Sequence, residues 1–387
     1  ANIFGRTARP LVAIQSADQD VLAKSGRGKI KFDHLVKQIE HYRSENLEVC
    51  TDILVGLPGE SADSQMSTLM KAFELGFDDI QSGNIRLLPG SDYESTAFRE
   101  TYGVRTKYRP IFGAYGKYDG KLVFEREESV RDTNDMSEPE MNEFKVLHWL
   151  IFFSWNLGMF KPLLRFGRQK GVNPGEVLAE IAATEDPRLK ALFDEMKEES
   201  RAEWFDTEEE MAAFYEQEEN FDAMIGNFMK LNTKYMARVF MESETVKALE
   251  TAVQTILRSK LAERGVTDFS IVDDVCRIST LMVCDDLLQE EFRTVDTYSG
   301  EVAAVIMNKA ELAEEESVDI EISRPEEFVK FCRFHLVRDG EKDFSLRNLS
   351  RFMEGGVGLG KLMNEVAIVG GDRSAATPRN EPGQYLS

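Results

Sequence analysis

Leu11-Val-Ala-Ile-Gln-Ser16, Val49-Cys-Thr-Asp-Ile-Leu-Val-Gly-Leu-Pro-Gly-Glu60 and Asp79-Ile-Gln-Ser-Gly-Asn-Ile-Arg-Leu-Leu-Pro-Gly90 are three apolar runs, and each ends in a polar or glycine-rich signature. Between the first two, Phe32, Leu35, Val36, Ile39 and Tyr42 recur at helical spacing; between the second and third, Met66, Leu69, Met70 and Phe73 do the same. The order is strand, helix, strand, helix, strand. That order predicts an α/β fold with a parallel sheet and right-handed crossovers, in which ligands bind beyond the carboxyl ends of the strands. The three signatures fall at those ends.

Each signature residue has a chemical use and a plainer alternative. The Gln15 amide can donate and accept at once, which suits a ligand carrying a hydroxyl and a carboxylate, or it can cap the next helix. Arg27 can hold a carboxylate in a two-point fork, although Lys24, Lys29 and Lys31 nearby equally describe a surface charge patch. Asp52 stands alone in a strand of Val, Cys, Ile, Leu and Val. A carboxylate buried there needs donors, which a vicinal diol would supply and a backbone amide or an arginine could replace. In Gly56-Leu-Pro-Gly59 the glycines let backbone approach a flat ring and Pro58 stiffens the turn, but such a turn is common by itself.

Taken together, Ile14-Gln15-Ser16, Arg27, Asp52 with Gly56-Leu-Pro-Gly-Glu60, and Leu87-Leu-Pro-Gly90 resemble the second half of a radical S-adenosylmethionine (radical SAM) barrel. The subgroup resembled is the one with a cobalamin-binding domain ahead of the barrel; the segment Arg109-Pro-Ile-Phe-Gly-Ala-Tyr-Gly-Lys-Tyr-Asp-Gly120 and the run into His148-Trp149 carry the same likeness. The resemblance implies that Gln15, Ser16, Arg27, Asp52, Gly56, Pro58, Gly59 and Leu88 contact S-adenosylmethionine. Within that set, Arg27 would serve its carboxylate or ribose, Asp52 the ribose hydroxyls, and the glycine turn the adenine. It also implies a four-iron four-sulfur cluster held by a CxxxCxxC loop. This chain has only Cys50, Cys276, Cys284 and Cys332, at no cluster spacing, so neither cluster nor cobalamin is expected to be ligated here. The chain reads as the carboxyl-terminal part of such an enzyme, with the amino-terminal half of the barrel as a missing partner.

The rest of the sequence sets bounds. Its 387 residues, 42% apolar, suffice for two or three domains. A formal charge of -22 opposes unspecific binding to nucleic acid or anionic membrane. The cysteine usage points to a reducing, cytoplasmic setting, and the polar start 1–10 lacks a signal-peptide core. The run 146–160 is too short to span a membrane and reads as a buried helix, opened by a Ser137/Glu140 capping box, with His148 as a satisfied core histidine. The expected division is the half-barrel over 1–120, a helical region over 121–265, a small α+β unit over 266–370 and a disordered tail over 371–387. In the α+β unit, 271–288 reads as a helix, 292–298 as a strand, 302–307 as its returning partner, 318–322 as a further strand and 325–334 as a helix. Gly355-Gly-Val-Gly-Leu-Gly-Lys361 lacks the Ser or Thr of a phosphate loop and reads as a glycine turn ending a helix. Cys276 and Cys284 read as core, and the acidic run 195–222 as a solvated helix face backed by aromatics.

The resemblance therefore implies radical chemistry on a small, natural-product-like substrate, by cobalamin-dependent methyl transfer or rearrangement. The aromatic segment 105–132 is substrate-facing material or ordinary packing. The alternative is a non-catalytic partner or nucleotide-binding subunit without its own cluster. Three parallel strands would leave an unpaired edge, which favours a missing half.

Overall fold

A computed structural model describes residues 9–45, 47–282, 286–359 and 364–369. Cys284, Lys361 and the expected tail lie outside the described residues. The chain divides into two compact units, one of 10–149 with 191–231, the other of 1–9, 150–190 and 232–387.

The first unit carries the α/β order read from the sequence. Its helices are α1 (Gln19–Lys24), α2 (Phe32–Ser44) and α3 (Ala62–Leu75), and its parallel strands are β1 (Cys50–Val55) and β2 (Asp79–Asn84). Residues 10–15 run alongside β1, where Val12 N–H donates to the Cys50 carbonyl and Gln15 N–H to that of Asp52, both at 2.9 Å. Side chains alternate across a strand, so Thr51, Ile53 and Val55 share one fully buried face with Ile80. The helices supply Leu35, Ile39, Leu69, Ala72 and Phe73 to the same core. Helix α3 starts where Ser61 and Ser64 cap each other's backbone and stops at Gly76, whose φ of 88° favours glycine.

Beyond Asn84 the chain leaves the parallel ladder. Leu87 N–H donates to the Glu128 carbonyl and Val130 N–H to that of Ile85 (both 2.9 Å), which joins the sheet to a hairpin of β3 (Arg105–Tyr118) and β4 (Lys121–Asp132). Phe205 then pairs with Tyr108 through two backbone bonds of 2.9 Å. Among the described residues these strands do not close into a barrel. Residues 121–132, placed in a helical region by the sequence, are strand.

Helix α5 (Glu138–Leu150) follows the hairpin after the short α4 (Thr96–Tyr102), and the chain continues through a π-helical turn at Ile151–Asn156. Its start keeps one half of the expected capping box: Glu140 Oε2 accepts from Ser137 N–H (2.8 Å), while the Ser137 hydroxyl donates to the same oxygen (2.6 Å).

The second unit is helical with a three-stranded antiparallel sheet, in which Val318–Ser323 lies between Arg293–Tyr298 and Glu365–Ile368. The expected returning strand at 302–307 is instead the helix Gly300–Met307, because the Ser299 hydroxyl accepts from Val302 N–H and nucleates a turn. The partner of the first strand is Val318–Ser323. The helix expected over 271–288 spans Ser270–Met282, and 325–334 becomes Glu326–Leu336 with Pro325 at its N-cap. The helix Leu346–Leu359 runs through Gly355, Gly356 and Gly358 and stops inside the glycine-rich stretch, and Gly360 and Lys361 lie outside the described residues.

Candidate functional site

At the carboxyl end of the parallel strands the fold brings Gln15 and Asp52 together through backbone. Gln15 has a φ of 60°, a left-handed conformation uncommon outside glycine, and its carbonyl accepts from Leu54 N–H (3.0 Å) while its N–H donates to Asp52. The Asp52 carboxylate has no hydrogen bond or ion pair to the described residues and is half-buried. It shares a sheet face with Leu54, the exposed Gln81 and Gly83, above which a Cβ would meet nothing within 4 Å. That face is open, whereas the opposite one is packed by helices.

Ser16 is buried just after residues 10–15, and Pro58 lies with the two glycines in the turn after β1. Gly56 (φ 90°) and Gly59 (φ 79°) both need the left-handed region. A Cβ on Gly56 would press on Val130 at 3.0 Å, and one on Gly59 would run into the Lys24 side chain. Pro58 is buried and Leu88 is 65% exposed. Arg27 stands apart: it is exposed, and no hydrogen bond or ion pair links it to Gln15 or Asp52. Its charge instead acts on Tyr93, whose hydroxyl burial raises above the usual phenol range while a bond to Ser25 and the Arg27 charge partly offset the rise.

Two groups at these strand ends escaped the sequence reading. The first is Glu60, which is fully buried and whose carboxyl is pushed up to about 8, chiefly by desolvation. Ser16 hydrogen-bonds it, and Asp18 adds repulsion. With the Gln65 amide turned so that its nitrogen faces Glu60, that nitrogen donates to both carboxyl oxygens, at 2.8 and 3.2 Å. Ala17 N–H donates to Thr68 Oγ1 at 3.0 Å, so α3 grips the turn after the first strand as well. Burial thus favours the protonated form of Glu60, which ties the glycine turn to α3.

The second group lies on the enclosed face of the hairpin. Glu127, Ser129 and Arg131 alternate inward on β4, and all are buried. Glu127 pairs with Arg109 and with Arg86, and Arg109 pairs also with Glu203. Arg109 and Arg131 both lie over the Trp204 ring, at 4.4 and 4.9 Å from its centroid. Lys145 of α5 donates to Asn84 Oδ1 at the end of β2 (3.0 Å); desolvation first, then the charges of Arg131 and Arg109, bring its ammonium down to about 7. His148 one turn on is brought down to about 3 by burial and Lys145, and its Nε2 has no hydrogen-bond partner. It is not the satisfied core histidine the sequence suggested.

The chain's described thiols are packing groups. Cys50, Cys276 and Cys332 are buried and unlinked by disulfides, and burial with the neighbouring Glu250 pushes Cys276 up to about 12. Among the described residues no three His, Cys, Asp or Glu side chains are grouped to hold a metal, and no helix is long and apolar enough to cross a membrane.

No family model matches the chain. Over 96 residues, 24% of this chain and 14% of the relative, it is 31% identical to the cobalamin-dependent radical SAM methyltransferase TokK of Streptomyces tokunonensis. Over 132 residues, 33% of this chain and 19% of the relative, it is 30% identical to the 2-(S-pantetheinyl)-carbapenam-3-carboxylate methyltransferase of Streptantibioticus cattleyicolor. The matches thus span less than a fifth of either relative's length. Over these stretches the chain is similar to methyltransferases, one of them named as a cobalamin-dependent radical SAM enzyme.

Proposed function

We propose that the chain contributes the S-adenosylmethionine-binding half of a radical SAM barrel to a cobalamin-dependent enzyme that performs methyl transfer or a rearrangement on a small molecule. The observation that carries this reading is the Asp52 carboxylate, left without a protein partner on an open sheet face. A ribose diol would give it two O–H donors. Gln15, fixed in a strained left-handed conformation beside it, would orient the ligand, and the glycine turn at Gly56 and Gly59 would present backbone to the adenine. When bound, S-adenosylmethionine reduced by one electron supplies hydrogen-abstracting power, and cobalamin carries the methyl group. The described cysteines do not fit a four-iron cluster, being buried and scattered, so no cluster role falls to them.

Calorimetric titration with S-adenosylmethionine tests the reading. Weak saturable binding is expected, at least tenfold weaker in Asp52→Asn. Binding that Asp52→Asn leaves unaltered, or no saturation at all, refutes it.

A further inference from the structure

Arg131 is 1% exposed, and none of its three guanidinium nitrogens has a hydrogen-bond partner. A buried guanidinium with unmet donors is unfavourable, since each N–H has given up water. The nearest acid is Glu138, at 3.8 Å from Nε, and Glu138 already pairs with Lys107 at 2.9 Å. The other enclosed acids are committed as well: Glu127 is shared by Arg86 and Arg109, and Glu203 pairs with Arg109. Lys145 has only the neutral Asn84 amide as acceptor. Two adjacent cations therefore lack an acid of their own, inside a chain whose formal charge is -22.

The geometry supplies what an anion needs. The Arg131 guanidinium carbon lies 4.9 Å from the Trp204 ring centroid, and its unpartnered N–H groups are the kind that bond a planar or tetrahedral oxyanion at two points. Asn84 holds the Lys145 ammonium, which desolvation first and then the charges of Arg131 and Arg109 depress; a bound anion would offset the arginine charges. Lys145 and His148 retain intermediate exposure, whereas the Arg131 guanidinium nitrogens are enclosed.

We propose that Arg131 and Lys145 form a binding site for a compact oxyanion, a carboxylate or phosphate group borne by a ligand of this protein. This stands on the hairpin, α5, Asn84 and Trp204, and does not use the contacts proposed for S-adenosylmethionine. Urea-denaturation midpoints are measured against sodium acetate and, separately, inorganic phosphate, with sodium chloride holding ionic strength constant. A ligand that binds the folded state raises stability in a saturable way. The expected result is such a rise with acetate or phosphate, the stronger of the two naming the group, with apparent affinity reduced at least tenfold in Arg131→Met and in Lys145→Met. If Arg131→Met does not fold, Lys145→Met and the wild-type titration still decide. A wild-type midpoint that follows ionic strength alone overturns the proposal, and so does an equal response in a folded variant.

Discussion

Replacing Glu60 by glutamine should make the protein more stable at neutral pH, and the gain should grow with pH. Burial lifts the carboxyl from 4.5 to about 8, so the folded chain keeps a proton that the unfolded chain releases. A carboxyl raised in this way contributes its stability fully below the unfolded value of 4.5 and loses it as pH rises through 8. At about 1.36 kcal/mol per pH unit, roughly 3 kcal/mol has gone by pH 7. Glutamine has nearly the same shape and no proton to lose, and Gln65 can turn its amide to accept where it now donates. Unfolding free energies from urea titrations at steps between pH 4.5 and 8.5 should therefore diverge. The two proteins should be close at pH 4.5, with the variant ahead by on the order of 3 kcal/mol at pH 7. Parallel curves would show that Glu60 is ionised in the folded state and refute the reasoning.

Further outcomes follow from other sites. Arg27→Ala, exposed and turned toward Tyr93, should weaken S-adenosylmethionine binding less than Asp52→Asn in the same calorimetric titration. Lys145 should react with acetic anhydride with half-maximal rate near pH 7, followed by mass spectrometry, while lysines of ordinary basicity respond near 10. Gly300→Ala would drive a Cβ into the backbone carbonyls of Leu312 and Glu315, and should lower unfolding free energy by about 3 kcal/mol in urea titrations. Trp204→Leu removes the ring beneath two guanidiniums and should cost about 1 to 2 kcal/mol by the same measurement.

The parallel part of the fold was legible because Ile53, Val55, Leu69 and Phe73 repeat at the strand and helix periods that burial requires. The segment 302–307 was not, since a short apolar run fits a strand as well as a buried helix. Ser299 was the overlooked signal. The hairpin escaped because Gly113, Gly116 and Gly120 and its many charges resemble a loop, although Glu127, Ser129 and Arg131 alternate at the period of a strand. Asp52 could be singled out as an acid among apolar neighbours. Glu60, Arg131 and Lys145 could not, for a charge in a mixed sequence acquires meaning only when tertiary packing removes its water.

The junction at Ile85 and Leu87 gives the sheet a direction. On one side the ribbon passes into β4 and β3, where Phe205 makes paired bonds to Tyr108 alone. On the other side, among the described residues, no strand lies beyond 10–15. The outer edge of 10–15 therefore keeps main-chain groups that a further strand could pair, beside the left-handed turn at Gln15.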